Sequence, residues 1–166
     1  MLDITLLEQI DPNKTDLKNI IPKEIGIYFW IENETNKLMY IGTASGQKGL
    51  YNRIIGQHLR STYIEYRANK GRNIVKDAYQ LEHAIIRERD GAKGIDQSSF
   101  RRSVGSKFKI KPGIHTVNFI KENFHLKYKL IDDKEELMIL EKILIKRLNP
   151  LLNVDHKNKL YNKFNL

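Results

Sequence analysis

Gly26-Ile27-Tyr28-Phe29-Trp30-Ile31 and Lys37-Leu38-Met39-Tyr40-Ile41-Gly42 are two apolar, aromatic-rich runs. The polar segment from Glu32 to Lys37 reads as the turn of a β-hairpin joining them. Such a hairpin puts Tyr28 and Tyr40 on neighbouring antiparallel strands, where their hydroxyls can converge on one small site. The fold and the chemistry expected of this chain both grow from that pair.

Upstream, residues 1–24 form an acidic arm with a short helical stretch that ends at Ile21-Pro22. Downstream, a loop from Thr43 to Gly49 leads into a helix predicted over Leu50 to Arg60. Residues 61–75 are polar and basic and read as a loop. A second helix is predicted over Lys76 to Arg89, with Ala78, Leu81, Ile85 and Ile86 as its apolar face. A short helix follows over Gln97 to Phe108. Residues 124–130 alternate, with Phe124, Leu126, Tyr128 and Leu130 on one side, which predicts a half-buried strand. The last helix runs from Lys134 to Leu148, begun by Asp132 and Asp133 and stopped at Asn149-Pro150. Residues 155–166 read as a polar tail.

The 166 residues suit one domain with an insertion. No stretch reaches the roughly 18 consecutive apolar residues of a membrane-spanning helix. The N-terminal residues lack the basic start and small-residue cleavage site of a signal peptide, so a cytoplasmic protein is expected. The chain has no cysteine, which excludes disulfides and thiolate metal sites. Its formal net charge is +9, unevenly spread. Residues 1–52 hold five Lys/Arg against seven Asp/Glu, residues 53–111 fourteen against six, and residues 112–166 ten against seven. A basic middle third suits a polyanion such as nucleic acid, or a solvated surface with no partner.

Glu141 is an anomaly on the last helix. At about 100° per residue it falls beside the stripe of Leu137, Leu140, Leu144 and Leu148. A carboxylate turned toward an interior needs a partner or a cation; one at the stripe edge reaches solvent or an Arg. Arg53 and His58 on the helix after the hairpin read by themselves as a basic surface. Taken with the two tyrosines and Glu141, they could assemble a phosphodiester site. Such a site needs an activated water, a metal ion and a cation for the developing charge.

In this order the residues resemble the GIY-YIG nuclease family. The motif-bearing residues are Gly26-Ile27-Tyr28, Tyr40-Ile41-Gly42, Gly49-Leu50-Tyr51-Asn52-Arg53, His58, Glu141 and Asn149-Pro150-Leu151-Leu152-Asn153. They cover about 26–60 and 115–154, leaving 61–114 as a basic helical insertion. The resemblance implies an α/β fold, with a central three-stranded antiparallel sheet flanked by helices. It also implies hydrolysis of DNA with one divalent metal ion, Mg²⁺ or Mn²⁺ in its place. Glu141 would be the metal ligand. Tyr28 would activate or position the water, with Tyr40 hydrogen-bonded in the same cluster. Arg53 would stabilise the transition state, and Asn153 would brace the site. The family often places its histidine four residues after the arginine, where this chain has Gln57. Either the helix is bulged or ends near Gly56, or His58 is not the equivalent residue.

The insertion mixes aromatics with basic residues. Arg67, Lys70, Arg72, Arg101, Arg102, Lys107 and Lys109, with Lys48 of the earlier loop, are the candidate DNA contacts. No separate C-terminal DNA-binding domain is expected, which favours a self-sufficient, type II restriction-like enzyme cutting double-stranded DNA. Double-strand cleavage then calls for a homodimer or sequential nicking. The rivals are a repair, structure-specific or mobile-element nuclease, and a DNA-binding module without catalysis.

Overall fold

Strand β1 (Gly26–Glu32) is the middle of a three-stranded antiparallel sheet, with β2 (Leu38–Ala44) on one side and β6 (Phe124–Leu130) on the other. The computed structural model describes residues 2–67 and 74–154, apart from the side chains of residues 67 and 74–76. The described chain divides into two compact units, one of Met1–Asn52 with Asn123–Leu166 and one of Arg53–Glu122.

In the first unit, β1 is covered on both faces, which is why its sequence is apolar without a break. Ile27, Phe29 and Ile31, with Ile41 of β2, form one core with Leu137, Leu144 and Ile145 of helix α6 (Lys134–Leu148). Tyr28 and Trp30 point to the other face. The hairpin turns through Asn36, which takes a left-handed φ of 54°. Asn tolerates that region better than most side chains. Asp133 caps α6 by accepting the Glu136 N–H at 2.8 Å, and Asn149 closes it in a left-handed conformation just before Pro150. The arm holds a 3₁₀ turn (Ile4–Leu6) and the short helix α1 (Leu17–Ile20). It is tied to the sheet where Ile10 bridges Leu126.

Helix α2 (Gly49–Arg53) is anchored by its first amides. Leu50 donates to the Glu24 carbonyl at 2.9 Å and Tyr51 to Pro22 at 2.8 Å. A Cβ on Gly26 would stand 3.1 Å from Leu50 Cδ1 and 2.5 Å from the Lys129 carbonyl. The glycine that opens the first motif is therefore what lets α2 close on the tyrosine face of the sheet.

The second unit departs from the helical insertion expected from sequence. Three short strands, β3 (Ile64–Arg67), β4 (Ile85–Ile86) and β5 (Lys93–Asp96), form another antiparallel sheet in the order β3-β5-β4. Part of the stretch read as a loop is thus strand. Helix α3 (Ile74–Glu82) stops before Ile85 and Ile86, which pair with β5 instead of extending its apolar face. Helix α4 (Ser99–Phe108) was expected; α5 (Ile114–Asn123) was not. Among the described residues, no helix is long and apolar enough to cross a membrane.

Candidate active site

Pairing of Tyr28 with Gly42 and of Trp30 with Tyr40 makes the two tyrosines diagonal neighbours on one sheet face. Their ring centroids are 6.3 Å apart and their planes 34° apart. Tyr28 is buried and Tyr40 half-buried. The Tyr28 phenol lies over Gly42, where a Cβ would collide with its hydroxyl and would stand 2.9 Å from Tyr40 Cε1. The closing glycine of the second motif thus supplies the floor on which both rings rest.

Asn153 braces this floor from the sheet edge. β2 is an edge strand, with backbone groups open on its outer side. Asn153 accepts the Ile41 N–H at 2.8 Å and donates its amide to the Ile41 carbonyl at 2.7 Å. Leu152 N–H adds a bond to the Met39 carbonyl at 2.8 Å. The segment after α6 therefore pairs along β2 and fixes the strand on both sides of Tyr40. Asn153→Ala removes both partners of a buried peptide group and is expected to destabilise the protein by roughly 1–3 kcal/mol. Denaturant unfolding checks it, and an unchanged midpoint would remove the brace.

Glu141 lies on α6 between Leu137 and Ile145, each one turn away and each buried. Its own side chain is half-buried. The carboxylate thus sits mid-stripe in the apolar face. Among the described residues, no three His, Asp or Glu side chains gather as a ligand set. A single half-buried carboxylate fits a hydrated cation such as Mg²⁺, which is satisfied by one or two carboxylates and keeps several waters.

Arg53 ends α2, and its Nη1 donates to Gln57 Oε1 at 3.0 Å. Gln57, which stands where the family often has its histidine, is thus the Arg53 partner one turn on. The chain after Arg53 is a π turn, Ile54–His58, in which Leu59 N–H bonds to Ile54 O. The helix is therefore bulged, and the i→i+5 turn absorbs the extra residue before His58. His58 is turned into the second unit. Its Nδ1 is 2.8 Å from Ser98 Oγ, and its ring meets Phe100 edge-on at 5.2 Å.

Burial, with the charges of Arg53 and Arg101, holds the His58 pKa well below the usual 6.5. Burial, with Lys127, lowers that of His125 as well. A neutral histidine in the fold means that the unfolded chain takes up the proton first. Stability is then full above pH 6.5 and falls as the pH drops toward the folded-state value. The fall is at most about 1.4 kcal/mol per pH unit for each histidine. Thermal midpoints followed between about pH 5 and 8 should show this slope, and His58→Asn should flatten it. A pH-independent midpoint would contradict a buried neutral His58.

Two of the expected DNA contacts are corrected. Arg101 is fully buried and ion-paired with Asp96. Its Nη1 also donates to the Gln57 and Arg60 carbonyls at 3.1 and 2.6 Å, and its Nε to Thr116 Oγ1 at 3.3 Å. Burial lowers its pKa, which the Asp96 charge opposes. Arg102 donates to the Asp96 and Gln97 carbonyls at 3.2 and 2.7 Å and faces Asp77 at 3.4 Å. Guanidiniums spent on internal acceptors cannot serve as surface phosphate contacts. Lys48, Lys107 and Lys109 are exposed, and the Lys109 ammonium lies 5.7 Å from the Tyr79 ring centroid. Lys70, Arg72 and the side chain of Arg67 lie outside the described residues.

Residues 9–165 match the family model described as the GIY-YIG catalytic domain, nearly the whole chain. A search of curated proteins gives no match.

Proposed function

The chain belongs to the GIY-YIG nuclease family and is a nuclease acting on DNA; from that premise we propose a metal-dependent endonuclease that hydrolyses double-stranded DNA at specific sequences. The observation that carries the hydrolytic reading is Tyr28 and Tyr40 side by side over Gly42, in the same unit as a half-buried acid in the apolar face of α6. Glu141 would hold a hydrated Mg²⁺ or Mn²⁺, which when bound polarises the phosphate and acidifies a water.

The remaining roles fall to the chain's own groups. Tyr28 orients the attacking water and receives or relays its proton. A phenol with an ordinary pKa near 10 is a weak base, so it needs a positive field close by. Tyr40, fixed by the Asn153 clamp, limits the positions the Tyr28 ring can take. Arg53 presents a fork of donors suited to two phosphate oxygens, and its bond to Gln57 fixes that fork. Negative charge that builds on the phosphate as the water attacks and the leaving oxygen departs is met by this guanidinium. His58, neutral and enclosed, anchors the π turn and takes no part in proton transfer.

Specificity is assigned to the second unit, with Lys107 and Lys109 at the end of α4 as backbone contacts. Incubation of a DNA of known sequence with Mg²⁺, followed by sequencing of the ends, tests the reading. Discrete ends support a restriction-type enzyme, and random ends overturn that subtype. Preference for branched DNA would assign a repair or mobile-element role. Retention of DNA without cutting under any divalent cation would leave a binding module.

A further inference from the structure

The outward side of α6 carries large apolar residues among its charges. Met138, Ile139 and Ile143 are 52%, 58% and 54% exposed. Glu136, Ile139, Ile143 and Lys146 follow one another at spacings of three, four and three. That spacing is a single coiled-coil seam, and on a regular helix it lies opposite Leu137 and Ile145. All four side chains are exposed.

The order along the seam is acid, apolar, apolar, base, with its midpoint at position 141. Turned end for end, this row is its own complement. A second α6 laid antiparallel across it sets each Ile139 against an Ile143 of the other copy. The same placement sets each Glu136 against a Lys146, twice by symmetry, as an isologous two-fold contact requires. A parallel arrangement would put acid on acid and base on base. Helix polarity alone accounts for acids at the start of a helix and bases at its end. It does not account for two exposed isoleucines centred between them.

We propose that this face docks a second copy of the chain, α6 against α6, antiparallel about a two-fold axis through position 141. Glu141 lies on the opposite side of the helix, so the contact leaves that acid facing its own protomer. The dimer does not depend on the catalytic reading. If that reading also holds, two symmetry-related sites can cut both strands in one encounter, and the monomer only nicks.

Sedimentation equilibrium of the full chain from low to high micromolar concentration tests the contact. The wild type should weigh two chains and Ile143→Lys one, with circular dichroism unchanged, since the side chain is exposed. Glu136→Lys places lysine against lysine, and Lys146→Glu places glutamate against glutamate, so each alone should be shifted to monomer. Mixed in equal amounts they form pairs in which every facing charge is opposite, and the two-chain mass should return. A wild type that stays monomeric throughout overturns the proposal. So does a dimer unaffected by Ile143→Lys, or a mixture that fails to associate. Each outcome is read without any DNA cleavage and so is separate from the fate of the catalytic assignment.

Discussion

Arg101→Met is expected to destabilise the second unit by about 3–5 kcal/mol, the usual result of removing one partner of a buried ion pair. The loss has several parts. Asp96 is fully buried and would lose the guanidinium beside it. Its remaining bonds, from Gln80 at 2.8 Å, Thr116 at 2.8 Å and the Gly113 N–H at 2.9 Å, are neutral donors that only partly replace a cation. The Gln57 and Arg60 carbonyls, near the end of the helical segment, would lose the donor that reaches both. Lys107→Met, at an exposed site with no such partners, should leave the unfolding midpoint in place and weaken DNA binding in a salt-dependent way. Chemical denaturation of the two variants beside the wild type checks the contrast. If Arg101→Met unfolds like the wild type but binds DNA poorly, the arginine is a surface contact after all.

Glu141→Ala is expected to lower DNA cleavage by at least about 10²–10³-fold, the scale of losing a principal electrostatic element of a hydrolytic site. The thermal midpoint measured beside it separates loss of function from loss of fold. Loss of activity with an unchanged or higher unfolding midpoint is the signature of a residue kept for function at the expense of stability. Plasmid nicking measured alongside thermal unfolding decides it. Full cleavage by the variant would remove Glu141 from the mechanism, and a large fall in midpoint would make it a structural residue.

The parts of the fold written in local pattern were the parts that sequence could read. β6 alternates over seven residues, and its predicted bounds are those observed. α6 carries an Asp cap at one end and Asn-Pro at the other, and was placed to the residue. The hairpin was legible for the same reason, since its polar turn separates two apolar runs. Glu141 could be singled out because an acid inside a leucine stripe breaks the periodicity.

The insertion was harder because its strands are two to four residues long, below the length at which alternation can be distinguished from a helical face. Ile85 and Ile86 fit the apolar side of a predicted helix and turned out to be an edge strand. The Arg101 and Arg102 error has a different origin. Sequence shows charge but not countercharge, and the acceptors for Arg101 come from Gln57, Arg60, Asp96, Gly113 and Thr116, scattered along the chain. His58 is ambiguous in sequence because α- and π-turns differ by one hydrogen bond, and in the fold Leu59 makes the π one, to Ile54.

Replacing Tyr28 with phenylalanine removes one oxygen atom from a ring that is otherwise held in place by the sheet. Single-turnover cleavage of supercoiled plasmid, with Mg²⁺ and with a chelator, should show cutting by the wild type only when the cation is present. The variant should cut far more slowly at the same cation concentration, while it stays folded by circular dichroism and its DNA affinity stays the same. Equal cleavage by Tyr28→Phe, or cleavage by the wild type that persists in the chelator, would contradict a hydrolytic site built on this hydroxyl and a hydrated metal ion.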